Sequence, residues 1–217
     1  MRTVTYGAAC SLDGFIAPSD GSMDWLHFSR DVQEYMAAYW ATIDTMLMGR
    51  KTWEVAVGQG GGGGGGGGGG MKGINTYIFS RTLDRVGHGA QLVREDAGEF
   101  VRRLKEQPGK GICVMGGGEL AQSLFAAGVV DEVGLNVHPL LLGSGVPFFR
   151  DAGRIALELA ESRAIDGGCV LLTYRVGKQK RKRARATGVG RHRRVGSSTA
   201  APAGASARTD DGRLPNA

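Results

Sequence analysis

Strand-like apolar runs alternate with segments of helical period along the first 176 residues. That alternation predicts an α/β domain with a central, mostly parallel sheet. Thr3 to Cys10 reads as the first strand, followed by a loop rich in Gly, Asp and Pro from Ser11 to Asp24. Val32, Tyr35, Met36, Tyr39 and Trp40 keep helical spacing, so residues 30–41 are expected to form an amphipathic helix with Ser29 as its N-cap. Thr45 to Met48 and Thr76 to Ser80 read as the next strands. Asp96 and Glu99 make a capping-box pattern before a helix that places Phe100, Val101 and Leu104 on one face. Ile112 to Met115 reads as a strand and Glu119 to Ala127 as a helix stopped at Gly128. Asp131 to His138 is a further strand. Residues 155–176 read as a C-terminal antiparallel hairpin turning around Asp166-Gly167-Gly168.

Two of the strand ends carry chemistry. The apolar run Met46-Leu47-Met48 stops at Gly49, and Arg50, Lys51 and Thr52 stand where a helix begins. A helix start offers free N–H groups and the positive end of the macrodipole. Cations placed there oppose the dipole unless an anion joins them, so the pattern points to a phosphorylated ligand. The second strand end repeats the logic: Gly116, Gly117 and Gly118 permit close backbone approach, and Glu119 and Leu120 open the next helix. Two such turns in one chain suggest a ligand with several phosphates, such as a dinucleotide.

Composition changes this picture at two places. Gly60 to Gly70 is an unbroken run of eleven glycines. Its backbone entropy argues for a flexible loop over 59–70. From Gly177 onward there are eleven Lys and Arg against two Asp, a net of +9, whereas residues 1–176 hold 16 against 19, a net of −3. The chain thus reads as a mildly acidic domain over 1–177 and a basic tail over 178–217. The tail lacks an apolar period and is expected to be disordered. Such a tail attracts nucleic acid or anionic surfaces nonspecifically, although no aromatic residue interleaves it for base stacking. Cys10, Cys113 and Cys169 are odd in number and widely spaced, which argues against a disulfide framework and fits a reducing cytoplasm. No stretch approaches the roughly 18 apolar residues of a membrane span, and no export pattern opens the chain. His27, His88, His138 and His192 show no metal spacing and are expected to be structural or exposed, so no metal is expected.

Taken in order, these motifs resemble the dihydrofolate-reductase-like family, in particular the bacterial branch related to the reductase domain of riboflavin biosynthesis. The resemblance covers roughly residues 2–176. It rests on Ser11-Leu12-Asp13-Gly14-Phe15-Ile16-Ala17, on Met48 to Glu54, on Phe79-Ser80-Arg81-Thr82-Leu83, on Met115 to Leu120, and on Asp131-Glu132-Val133 with Pro139 to Gly145. It implies a three-layer dihydrofolate-reductase-like fold, NADPH as hydride donor and a homodimer built on late strands. It also implies an oxidoreductase acting on a pterin- or pyrimidine-type substrate. The nearest such activity is 5-amino-6-(5-phosphoribosylamino)uracil reductase of riboflavin biosynthesis, with a dihydrofolate-reductase-like reaction beside it. The glycine run and the tail depart from the family pattern. A catalytically inactive NADPH-binding module is therefore an alternative, as is nucleic-acid association through the tail.

On this resemblance Gly49, Arg50, Lys51 and Thr52, with Gly116, Gly117, Gly118, Glu119 and Leu120, are expected around the cofactor phosphates. Ser80, Arg81 and Thr82 are expected at the 2′-phosphate, selecting NADPH over NADH through charge-assisted bonds. Asp31, in the first turn of the 30–41 helix at the edge of its apolar face, is a candidate to hold a substrate N–H or relay a proton. The other reading of Asp31 is an acid that favours the helix dipole, and Glu34 is a weaker candidate further round the helix. Asp13 and Ser11 either approach the substrate as the loop closes or simply form a turn at Asp13-Gly14. Trp25, beside Asp24 at the end of that loop, is expected either to wall the substrate pocket or to serve the core.

Overall fold

The computed structural model describes residues 1–58, 73–116, 118–150 and 153–177, all within the unit Met1–Lys180. The expected glycine-rich loop, the expected basic tail and Gly117 lie outside the described residues.

Eight strands form one sheet in the order β5-β4-β3-β6-β1-β7-β10-β9. They are β1 (Val4–Ser11), β3 (Ile43–Gly49), β4 (Asn75–Phe79), β5 (Gln91–Val93), β6 (Gly111–Met115), β7 (Glu132–His138), β9 (Leu157–Ala164) and β10 (Val170–Val176). The six strands from β5 to β7 run parallel. β10 pairs antiparallel with β7 and with β9, as the hairpin signal around Asp166 to Gly168 required. Two short strands, β2 (Phe15–Ala17) and β8 (Val146–Pro147), pair with each other outside this sheet. The loop expected over Ser11 to Asp24 therefore contains a strand. Its partner lies near residue 147, too far along the chain for local pattern to reveal.

Helices cover both faces of the sheet. On one face α3 (Ala97–Glu106) and α4 (Gly118–Ala126) pack Val101, Leu104, Leu120, Leu124 and Phe125 over Val4, Tyr6, Ile112, Val114 and Val133. The alternation of the strands sends Met46, Met48 and Ile78 to the other face, where they meet Trp53 of α2 (Arg50–Gly58) and Trp40 of α1 (Arg30–Ala41). This is the three-layer arrangement expected.

The helix ends follow local chemistry. Ser29 accepts from the Val32 N–H at 3.3 Å, and Asp96 accepts from the Glu99 N–H at 2.9 Å. Glu99 does not return the second bond of a capping box; it pairs with Arg102. Two buried cations anchor the sheet's lower edge. Lys105 reaches Asp131 at 2.5 Å and the Val129 carbonyl at 3.2 Å, and Arg2 pairs with Asp44.

Candidate active site

Three strand-to-helix or strand-to-loop turns stand side by side at the C-terminal ends of β4, β3 and β6. The register fixes this: Gly49 lies opposite Phe79, and Met48 opposite Met115. The first two expected phosphate turns are in direct contact. Gly116 has φ +64°, and a Cβ placed on it would fall 2.6 Å from Thr52 Oγ1 and Cγ2. Only glycine serves there, because a side chain would be strained in φ and would displace Thr52. Gly49 also approaches Leu120, whose Cβ is 3.9 Å from the position of a Cβ on that glycine. Lys51 bridges the turns by pairing with Glu119 at 3.3 Å, while Arg50 makes a two-oxygen contact with Glu54 at 2.9 Å. Both cations expected to meet phosphate are thus held by exposed carboxylates, a weak arrangement in water.

At the β4 end, Ser80 Oγ accepts from the N–H groups of Thr82 (3.2 Å) and Leu83 (3.0 Å), which shapes the turn. The Arg81 side chain is exposed and has no partner among the described residues. Arg94 staples the same turn by donating to the carbonyls of Leu83 (2.5 Å) and Arg81 (3.3 Å). A second unforeseen cation is Arg150, whose stem lies over Gly118 at the start of α4, with Cγ 3.3 Å from the position of a Cβ on that glycine. Sequence position alone did not bring either arginine to these turns.

Met115 and Gly116 also border a cavity of about 350 Å³ between α1 and the sheet. Its wall is formed by Val32, Tyr35, Met36, Tyr39 and Trp40 of α1, and its floor by β1, β6, β7 and Thr173 of β10. Gly7 and Gly134 pair across β1 and β7 and leave the middle of the floor without side chains. Around them, β7 presents a period-two stripe of Glu132, Gly134, Asn136 and His138. Thr5 donates to Glu132 at 3.3 Å. Burial raises the Tyr39 hydroxyl well above the ordinary tyrosine value, with Cys113 adding to the effect. Burial also raises Tyr35, assisted by the charges of Glu161 and Glu132 and opposed by a hydrogen bond with Thr173. Both phenols therefore stay protonated at neutral pH. The Cys113 thiol is pushed up to about 11 by burial and is inert as a nucleophile.

His138 is not a spectator. It is 1% exposed, yet it lines the cavity. Its Nδ1 accepts from the His27 N–H at 3.4 Å and lies 3.5 Å from Cys169 Sγ, whereas its Nε2 is buried without a partner. Burial and the neighbouring His27 lower its pKa. A polar alternation inside the strand sequence Glu-Val-Gly-Leu-Asn-Val-His was the signal that would have found it.

The remaining candidates have other surroundings. Asp13 accepts from the N–H groups of Gly143 (2.8 Å) and Leu142 (3.1 Å), and Ser11 Oγ donates to it at 2.5 Å. The Ser11 hydroxyl and the two amides hold this carboxyl below its ordinary value. Asp31 accepts from the Asp166 N–H at 3.2 Å. Neither aspartate, nor Ser11, lines the cavity; Asp13 ties the loop after β1 to the segment at Leu142 and Gly143, and Asp31 ties the start of α1 to the turn between β9 and β10. Glu34 pairs with Arg30 on the surface. Trp25 sits beside the cavity with its ring 5.3 Å from that of His138, edge to face, and its Nε1 is buried without a partner.

Parallel strands whose C-terminal turns face a helix-walled cavity define an α/β reductase scaffold of the dihydrofolate-reductase-like class. The chain belongs to the RibD C-terminal domain family, whose model matches residues 2–171. It is 31% identical over 180 residues to the uncharacterised protein YyaP of Bacillus subtilis, covering 80% of this chain and 95% of that protein. A putative riboflavin biosynthesis protein from Shewanella sp. PV-4 superposes with a TM-score of 0.70 at 23% identity, over 82% of this chain and 100% of that one. Dihydrofolate reductase from Enterococcus faecalis, solved with NADP(H) and RAB-propyl, superposes with a TM-score of 0.57 at 16% identity, over 80% of this chain and 96% of that one. Family and fold together support a reductase of riboflavin-biosynthesis type. Among the described residues, no helix is long and apolar enough to cross a membrane.

Proposed function

We propose that the chain is an NADPH-dependent reductase that transfers hydride to a pterin- or pyrimidine-type substrate. The observation that carries this reading is continuity: Met115 and Gly116 belong both to the phosphate-turn cluster and to the cavity wall. A ligand anchored by phosphates at the turns reaches the cavity there. The residues fit such a cofactor. Arg81, with Ser80 and Thr82, would hold the 2′-phosphate. Arg50, Lys51, Thr52, Arg150 and the glycines from Gly116 to Gly118 would hold the pyrophosphate, with Lys51 exchanging Glu119 for phosphate. NADPH supplies the hydride when bound.

The chain itself positions the two reactants over the Gly7–Gly134 floor and keeps water away with the apolar wall of α1. Reduction of a C=N or C=O bond also consumes a proton. Among the described lining groups, Tyr35, Tyr39 and neutral His138 each carry an exchangeable proton at neutral pH. Asp13 and Asp31 act in this reading as positioning residues, the first by clamping the loop after β1 and the second by holding the β9–β10 turn.

Those two aspartates also favour a second reading, a module that binds NADPH without turning over, because neither presents its carboxylate to the cavity. Titrating the full chain with NADPH and NADH by tryptophan fluorescence, then following NADPH oxidation with pterins and with ribosylaminopyrimidines bearing or lacking a 5′-phosphate, separates the two. Arg81→Ala is expected to weaken NADPH by about tenfold and leave NADH unchanged. Equal loss for both cofactors would refute the 2′-phosphate role. NADPH binding without turnover on any substrate would favour the module.

A further inference from the structure

We propose that Glu132 anchors the ligand of the cavity and selects a flat ring system that carries a cationic N–C–N group at the end away from the cofactor turns. The proposal rests on the reductase reading for what occupies the site. It adds the chemical class of the ligand and the residue that chooses it.

The first observation is where the acid stands. Among the described residues that line the cavity, Glu132 is the one acidic side chain, and Lys and Arg are absent. Asp31, the acid expected there from sequence, holds the Asp166 amide instead. Glu132 opens β7 opposite Thr5 of β1, and two residues further along Gly134 stands opposite Gly7. Gly7 is in turn opposite Met115 of β6. At about 3.3 Å per residue, the acid stands roughly 7 Å along the strands from the level of Met115. A flat ring resting on the glycine floor beside Met115 therefore has its far edge within reach of Glu132.

The second observation is the capacity this carboxylate has left. Its Oε2 accepts from the Thr5 hydroxyl at 3.3 Å, a long bond to a neutral donor. Its Oε1 has no hydrogen bond among the described residues and is not one of the sealed polar atoms. Arg175 faces Glu132 across the β10–β7 pair, but it is exposed and no ion pair joins the two among the described residues. A carboxylate accepts about four hydrogen bonds, and a half-buried one gains most from a charged N–H partner. Glu161 of β9 adds to the same field, since its charge and that of Glu132 both reach the Tyr35 phenol in the α1 wall. A cationic N–C–N group offers parallel N–H donors and opposite charge at this end. A carboxylate or phosphate would meet repulsion there.

The isosteric series 2-naphthamidine, 2-naphthamide and 2-naphthoate carries a cation, a neutral group and an anion on one flat two-ring frame. Binding of each to the full chain would be measured by calorimetry, with and without NADPH. The wild type should bind the amidine about tenfold or more tightly than the amide, and the amide more tightly than the naphthoate. Glu132→Gln keeps the shape and removes the charge, so it should shrink the amidine-to-amide preference below about threefold. NADPH affinity in the same titrations reports that the variant is folded. Gly134→Ala raises the floor by one methyl whose nearest neighbour would be Thr5 at 3.7 Å, so the strand accommodates it. That variant should weaken all three probes alike by about fivefold or more, and with the wild-type ranking it decides the matter should Glu132→Gln fail to fold. No amidine binding, no preference in the wild type, a preference that persists in Glu132→Gln, or probes indifferent to Gly134→Ala would overturn the assignment. Failure to bind NADPH with the charge ranking intact would instead remove the reductase reading and leave the anchor standing.

Discussion

A histidine that is buried, neutral and half-satisfied sets a pH limit on this molecule. His138 is surrounded by His27, Cys169 and Trp25, with Asp166 beyond His27. Its pKa is depressed because its charged form loses hydration and meets His27. In the unfolded chain it protonates near about 6.5. As pH falls through that value the unfolded state takes up a proton that the native state refuses, so stability declines. The decline ends below the depressed native value, where the native imidazole protonates too. Asp13, Asp20 and Asp44 are lowered as well, but their contribution is lost only as pH falls through the ordinary carboxylate range of about 4. Melting between pH 7.5 and 5.5 should therefore show a falling Tm in the wild type and a flatter profile in His138→Gln. A parallel decline in both would assign the effect elsewhere.

At the level of elements, two glycines separate a packing requirement from a site requirement. A Cβ on Gly98 would lie 2.5 Å from Ala127 Cβ, where α3 meets the end of α4. Gly98→Ala should cost about 1–3 kcal/mol of stability through overpacking and leave NADPH affinity unchanged. Gly116→Ala distorts the contact with Thr52 between the two phosphate turns and should weaken NADPH by about tenfold or more, given the positive φ. Denaturant melts and cofactor titrations on both variants check this pair; interchangeable effects would mean that the turns are not a binding unit. The same elements show what was legible in sequence. The helix behind Ser29, the helix behind Asp96, and the strand–glycine–helix turns at Gly49 and Gly116 each carry their signal within about ten residues. β2, β5 and β8 are two or three residues long, too short for any period, and β8 contains a proline. Asp13 and Asp31 have backbone partners 130 and 135 residues away. Side-chain type suggested catalysis, and only the fold shows which amides they face. The cavity stripe on β7 was hidden because its glycine and polar residues sit inside a strand otherwise read as core.

For the whole molecule, the sheet ends in an edge that asks for a partner. All eight residues of β9 are exposed, and among the described residues β10 is its only neighbour in the sheet. Both faces of the strand are thus open to solvent. Leu157 and Leu159 stand 40% and 53% exposed on one of them. A long unprotected edge with exposed leucines is normally avoided in a monomer. We propose that a second copy of the same chain, related by a two-fold axis, would cover it with matching residues, since an isologous contact places each leucine against the partner's equivalent surface. This gives structural grounds for the homodimer proposed from the resemblance. Charge is consistent with it: the domain's net of −3 is small, so mutual repulsion between domains is weak. Sedimentation of the wild type should give a dimer at micromolar concentration. Leu159→Arg should give a monomer, because it places two like charges at the contact, while NADPH binding at the turns after β3, β4 and β6, remote from β9 in sheet order, should be unchanged. A wild type that sediments as a monomer would remove the proposal. A Leu159→Arg variant that stays dimeric would move the interface off β9, and a variant that loses NADPH along with the dimer would show that the second copy completes the site.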